Sequence, residues 1–229
     1  MISETNLSKG YSTFWKEFTP WLNSYSQQIN KIGSTTLFDH IEISEETKYR
    51  SINGVLAFNS FRKKKITGEF NINEIFTESK NEIENFPRSN FDNYILDELN
   101  KEIINKLEKR MSETYQSSVE FEPLFAGCGF LANCKGDIIE NETLIEIKTG
   151  DRNLLSSDIK QLLIYYALNE ISGNKYRIDK LQYFNPRTGV IWENDIESVI
   201  KAISTITSNE FCHNLEYFLI ALSSEIQPI

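Results

Sequence analysis

Gly136-Asp-Ile-Ile-Glu-Asn-Glu-Thr-Leu-Ile-Glu-Ile-Lys148, followed through a turn by Gln161-Leu-Leu-Ile-Tyr165, reads as a β-hairpin that hands over to a helix. Lys135 to Glu140 and Thr143 to Thr149 are short, β-branched and alternating, and Asn141-Glu142 is a polar turn between them. With that turn, Glu140 faces Thr143, and counting outward sets Asp137 opposite Glu146. Side chains along a strand repeat every two residues, so Leu144, Glu146 and Lys148 share one face while Ile138, Ile145 and Ile147 take the other. One face carries charge and the other carries core.

Like charges placed opposite each other destabilise a sheet, so Asp137 against Glu146 calls for a compensating cation. Mg²⁺ or Mn²⁺ suits the donor set, because hard divalent ions take carboxylate oxygens and Mg²⁺ keeps several of its waters. Such an ion activates water against a phosphodiester, and Lys148 is placed to orient that water or to neutralise charge on phosphorus. Thr149 to Asn153 forms a turn, and Ser156, Ser157 and Asp158 offer capping oxygens for a helix from about Asp158 to Ile171. Gln161 and Tyr165 stand one turn apart on the same side of that helix. They point together either toward the charged face of the hairpin or along a substrate groove.

Gly136-Asp137, Glu146-Ile-Lys148 and Gln161-Leu-Leu-Ile-Tyr165 together resemble the PD-(D/E)XK nuclease superfamily, and the Gln-x-x-x-Tyr element is similar to its RecB-like branch. The resemblance covers about Asn93 to Trp192. It implies a restriction-endonuclease-like fold, with Asp137 and Glu146 as metal ligands, Lys148 as the catalytic lysine and Gln161 with Tyr165 as the helix motif. The activity implied is metal-dependent cleavage of DNA, in a DNA repair or anti-phage defence system. Two departures stand out. Gly136 replaces a proline before the first acid, and the acid often supplied by the first core helix has no clear counterpart. Glu98 and Glu102 are candidates for that ligand, against the plainer reading of exposed carboxylates paired with Lys101 and Lys106.

The 229-residue chain is 40% hydrophobic, enough for one core and an appendage. Residues 1–90 read as a mainly helical N-terminal extension, in which Phe14, Trp15, Phe18, Trp21 and Leu22 recur at helical spacing around Pro20. Residues 91–229 read as the α/β nuclease-like core, a mixed central sheet flanked by helices and closed by two C-terminal ones. Pro87-Arg-Ser-Asn90 marks the boundary. The helix from about Asn93 to Tyr115 is expected to bury Ile95 or Leu96, Leu99, Ile103, Leu107 and Met111. A strand is expected over Val119 to Phe125, and two more on either side of the turn Asn185-Pro-Arg-Thr-Gly189, itself similar to RecB-like chains.

A net charge of −9 opposes unaided binding of long duplex DNA, whose affinity comes from Lys and Arg displacing counterions. Either a local basic patch or a protein partner, including a second copy of the chain, would answer this. Arg62, Lys63, Lys64 and Lys65 are four consecutive cations that read equally as a solvated turn or helix end and as a nucleic-acid contact. Arg187, in the Asn-Pro-Arg turn, is the other candidate to face phosphate. Three cysteines suit reduced thiols in a soluble, cytoplasmic protein and are too few for the four-cysteine ligand set of an iron–sulfur cluster. No apolar run suggests a membrane span and the first residues lack the pattern of a secretory signal. His40 and His213 have no spacing that suggests a zinc pair. DNA is the expected substrate, with RNA cleavage and a catalytically weak binding or assembly subunit as the alternatives.

Overall fold

The computed structural model describes residues 1–42, 49–84 and 93–225. Three short helices lead, α1 (Glu4–Lys9), α2 (Ser12–Phe18) and α3 (Leu22–Gln28), with a π-helical turn at Ile29–Gly33 before strand β1 (Thr35–Thr36). Helices α4 (Arg50–Thr67), α5 (Ile72–Glu78), α6 (Lys80–Glu84) and α7 (Glu98–Thr114) follow. Then come β2 (Val119–Phe121), β3 (Leu124–Phe125), β4 (Cys134–Lys135), β5 (Ile138–Glu140) and β6 (Thr143–Ile147). The chain closes with α8 (Ser156–Ile171), β7 (Lys180–Asn185), β8 (Val190–Asp195), α9 (Ile196–Ile203) and α10 (Ser208–Glu225).

The fold is α/β, a mixed six-stranded sheet in the order β1-β8-β7-β6-β5-β2 with helices on both faces. Only β6 and β7 run parallel, and α8 makes the crossover that a parallel pair requires. All five residues of the central strand β6 are buried, and their alternation separates two cores. Leu144 packs with Phe14 and Trp15 of α2, Leu22 of α3, and the apolar faces of α8, α9 and α10. Ile145 and Ile147 pack on the opposite face with Leu56 and Phe61 of α4, Ile75 of α5 and Ile103 and Leu107 of α7. Each face of the sheet is therefore roofed partly by helices from the first ninety residues.

The hairpin turn between β5 and β6 is a tight one. Asn141 and Glu142 sit at φ 47° and 64°, the two left-handed residues of a turn whose twist matches that of the strands it joins. That turn sets the register Glu140↔Thr143, Ile139↔Leu144 and Ile138↔Ile145.

Three expectations change. The strand over Val119 to Phe125 is split into β2 and β3, because Glu122 at φ 49° before Pro123 bends the chain out of the main sheet to pair with β4. Helix α7 starts later than expected, capped by the Asp97 carboxylate, and buries Asn100, Ile103, Ile104, Leu107, Glu108 and Met111. Of the Ile95 or Leu96 alternatives it is Leu96 that packs on the core, Ile95 and Leu99 are exposed, and Asn100 turns inward to accept from Asn53 Nδ2 at 2.8 Å. The expected boundary at Pro87-Arg-Ser-Asn90 lies outside the described residues.

Helix α4 approaches the loop after β6 closely. A Cβ added at Gly54 would stand 2.1 Å from Thr149 Oγ1 and 3.1 Å from Thr149 Cβ, so the helix rests directly on the residue next to Lys148. Gly54→Ala would add about 1 kcal/mol at an open helix position. Here it is expected to destabilise the fold by about 1–3 kcal/mol through overpacking. Pairing it with Thr149→Ala removes the nearer atom and should recover part of the loss. Urea unfolding of both variants checks this, and a stabilised single variant would contradict the contact.

Candidate functional site

Continuing the hairpin register by one step beyond the Ile138↔Ile145 pair puts Asp137 opposite Glu146, and both are on the sheet face that α8 covers. The Ile147 N–H donates to Asp137 Oδ2 at 2.6 Å, a bond across the hairpin that ties the first acid to the strand bearing the second. The backbone N–H of Lys148 donates to Phe184 O at 2.9 Å, extending the β6–β7 ladder and holding the lysine at the strand end. Its ammonium pairs with Glu146 Oε1 and also lies 3.3 Å from Gln161 Oε1. Gln161 Nε2 in turn donates to the Tyr165 hydroxyl at 3.2 Å, and the Tyr165 ring stacks on Phe125 with centroids 5.3 Å apart. Asp137, Glu146, Lys148, Gln161 and Tyr165 thus form one connected group. Gln161 and Tyr165 take the first of the two orientations open to them, toward the charged face.

Gly136 has its own reason to be glycine. Its N–H donates to Pro123 O at 3.0 Å, which a proline could not do, and an added Cβ would meet the Phe125 ring at 3.2 Å.

Burial governs the electrostatics here. It pushes Glu146 up to about 8, with the Asp137 carboxylate adding to the rise and the Lys148 ammonium pulling back. Asp137 is raised as well, by burial first, against the pull of Lys148 and of the Ile147 N–H. Lys148 loses charge stability by burial, but Glu146 and Asp137 more than offset this and hold it above its ordinary value. The lysine therefore stays an ammonium, and the proton that moves near neutral pH belongs to the carboxylate pair. Tyr165 is raised by burial and then by Glu146 and Asp137, so its phenol remains a neutral hydrogen-bonding group.

A cleft of about 350 Å³ opens beside the group, lined by Asp137, Ile147, Lys148 and Thr149 from the hairpin and by Ser51, Gly54, Val55 and Phe58 of α4. Lys135, Glu122 and Glu82 complete its walls. The residues from α4 and α6 were not identified from the sequence. Gly54 was the available signal, a lone glycine in an otherwise helical run, which usually marks a close approach.

The remaining candidates lie elsewhere. Glu98 and Glu102 are on the exposed side of α7, ion-paired with Lys101 and Lys106 at 2.8 and 2.7 Å, and neither lines the cleft. The cationic run is the last part of α4 and not a turn, and each member has an internal partner. Arg62 pairs with Glu122, Lys63 with Glu78, Lys64 with buried Glu108, and Lys65 donates to Ser117 O. The expectation that Arg187 faces phosphate is corrected, because its side chain is only 1% exposed. Its Nε donates to Thr149 O at 2.6 Å and so braces the loop behind Lys148 from inside the protein. Cys128, Cys134 and Cys212 are free thiols, and burial pushes Cys134 and Cys212 up to about 12, which leaves them unreactive. His40 lies 3.6 Å from Asp151, and His213 bonds the Asn209 carbonyl within α10. No helix among the described residues is long and apolar enough to cross a membrane.

The chain matches no family model and no curated protein significantly. Among the described residues no three His, Cys, Asp or Glu side chains gather around a point that could hold a metal. Asp137 and Glu146 are two acids, and Glu146 Oε2 is a buried oxygen with no hydrogen-bond partner. A buried acceptor left unsatisfied is costly, and a hard cation completed by water and substrate oxygens is a group that would satisfy it.

A cation held by these acids would compete with a proton for them, and the sign of that competition follows from the burial of Glu146. Glu146 has a folded pKa of about 8 above its ordinary 4.5, so folding takes up a proton between those values. The ion-free protein therefore loses stability as pH rises through that window. A cation replaces the proton, so its stabilising effect grows over the same range. The rise in Tm on adding Mg²⁺ should be larger above about pH 8 than below about pH 6, and Glu146→Gln should abolish the difference. Thermal melts with Mg²⁺ or chelator test this.

Proposed function

We propose that the protein is a metal-dependent nuclease that hydrolyses DNA phosphodiester bonds, built on a restriction-endonuclease-like core of the PD-(D/E)XK, RecB-like kind. The observation that carries the reading is the cluster of Asp137, Glu146 and Lys148, in which Asp137 and Lys148 line a cleft and Glu146 lies buried behind them with one oxygen unpartnered. Asp137 and Glu146 are the residues that would hold Mg²⁺ or Mn²⁺. When bound, such an ion supplies Lewis-acid polarisation of a phosphoryl oxygen.

The chain's own groups do the rest. Lys148 reaches the cleft as a secured ammonium and neutralises charge that develops on the phosphoryl oxygens. Gln161 accepts from that ammonium while its amide is held by Tyr165, so the lysine is steered by a side chain that is itself anchored. Tyr165, clamped on Phe125, fixes the end of this relay. Val55 and Phe58 of α4 add apolar surface to the cleft lining.

A second reading, a nuclease-fold binding or assembly subunit, is favoured by one feature, the pairing of every cation in the Arg62 to Lys65 run within an acidic chain. One experiment separates the two. Purified protein is incubated with linear, circular and single-stranded DNA and with RNA, in Mg²⁺, Mn²⁺ or chelator. Cutting should require metal, and Lys148→Ala and Asp137→Ala should each lower its rate by about 100-fold or more. Binding without cutting in any condition would favour the subunit.

A further inference from the structure

Glu122 bridges two cations at the edge of the cleft. Its Oε2 accepts from Arg62 Nη1 of α4, and its Oε1 lies 3.5 Å from Lys135 Nζ of β4. The three side chains are 34%, 59% and 37% exposed for Arg62, Lys135 and Glu122, so solutes can reach all of them. Lys63, Lys64 and Lys65 are turned to other partners, and Arg62, which does not itself line the cleft, reaches its wall through the pair with Glu122.

Two further features set Glu122 apart from an ordinary surface ion pair. Its backbone is left-handed at φ 49°, a strained state for a side-chain-bearing residue and more so before proline. Its N–H donates to Asp137 O at 2.9 Å, so this strained residue is coupled directly to the backbone of the first acid. The same cleft is lined by Glu122, Lys135, Asp137 and Lys148.

We propose that Arg62 and Lys135 form a phosphodiester-binding site at the mouth of the cleft, and that Glu122 is an internal occupant which a nucleic-acid strand displaces. This rests on the nuclease reading of the cleft. A carboxylate and a phosphodiester each present one negative charge on two oxygens, and a guanidinium beside an ammonium accommodates either. The arrangement explains how a chain of net charge −9 receives a polyanion. The cations are retained at the site, and the carboxylate that neutralises them excludes weak anions. Substrate is admitted only when it also gains contacts deeper in the cleft.

The test is binding of a labelled single-stranded DNA oligonucleotide in chelator, so that affinity is read without cutting. Glu122→Gln should bind about five-fold more tightly than wild type. Glu17→Gln, the same charge change on the exposed side of α2, serves as control and should leave affinity near that of wild type. The double variant Arg62→Gln with Lys135→Gln should bind more weakly and lower the slope of log affinity against log salt by about 1.4, the value for two single-strand phosphate contacts. Melting curves confirm that each variant is folded. The proposal is overturned if Glu122→Gln binds no better than the Glu17→Gln control or shows no binding, or if the double variant keeps the wild-type affinity and salt slope. Cutting by wild type that is lost in Lys148→Ala, with these affinities unmoved, would remove the phosphate site and keep the nuclease. Affinities that shift as stated with no cutting in any metal would do the reverse.

Discussion

Two carboxylates set face to face at one end of a hairpin, Glu146 buried and Asp137 half-buried at the cleft, are the constraint around which this molecule is arranged. Asp137 and Glu146 repel each other, and burial removes the water that would screen them. The surrounding structure answers that repulsion in pieces. The Ile147 N–H reaches Asp137, and Lys148 pairs with Glu146 while sharing its charge with Gln161. One Glu146 oxygen is left without a partner.

Holding this group in place requires both helical layers. On one face α8 supplies Gln161 and Tyr165, with Phe125 behind them. From the other side α4 lies against Thr149, close enough that only glycine fits at position 54. The buried guanidinium of Arg187 grips the Thr149 carbonyl, and Asp151 joins it to His40 and Arg50 around the same loop. Lys148 therefore stands on a strand end braced from three directions.

The hairpin and the residues it aligns were legible in the chain because their causes are local. A two-residue polar turn sets the register, alternation sets the faces, and a spacing of four sets two side chains on one helical turn. The same logic located the buried stripe of α7 only approximately. There buried Asn100 is paired with Asn53, forty-seven residues away in sequence, and Leu99 beside it faces solvent. Arg187 read as an exposed turn cation because nothing near it in sequence reveals Thr149, thirty-eight residues earlier, as its partner.

Local pattern alone was thus enough for an α/β chain with two acids and a lysine on one strand face and a glutamine and tyrosine beside them. The cleft itself, with α4 as its wall and Glu122 between Arg62 and Lys135 at its mouth, arose from packing. The physical reason is range. Strand alternation and helical periodicity act over a few residues and are written in their order. A contact between distant segments depends on the shape of both surfaces, and it exists only once the sheet has brought them together.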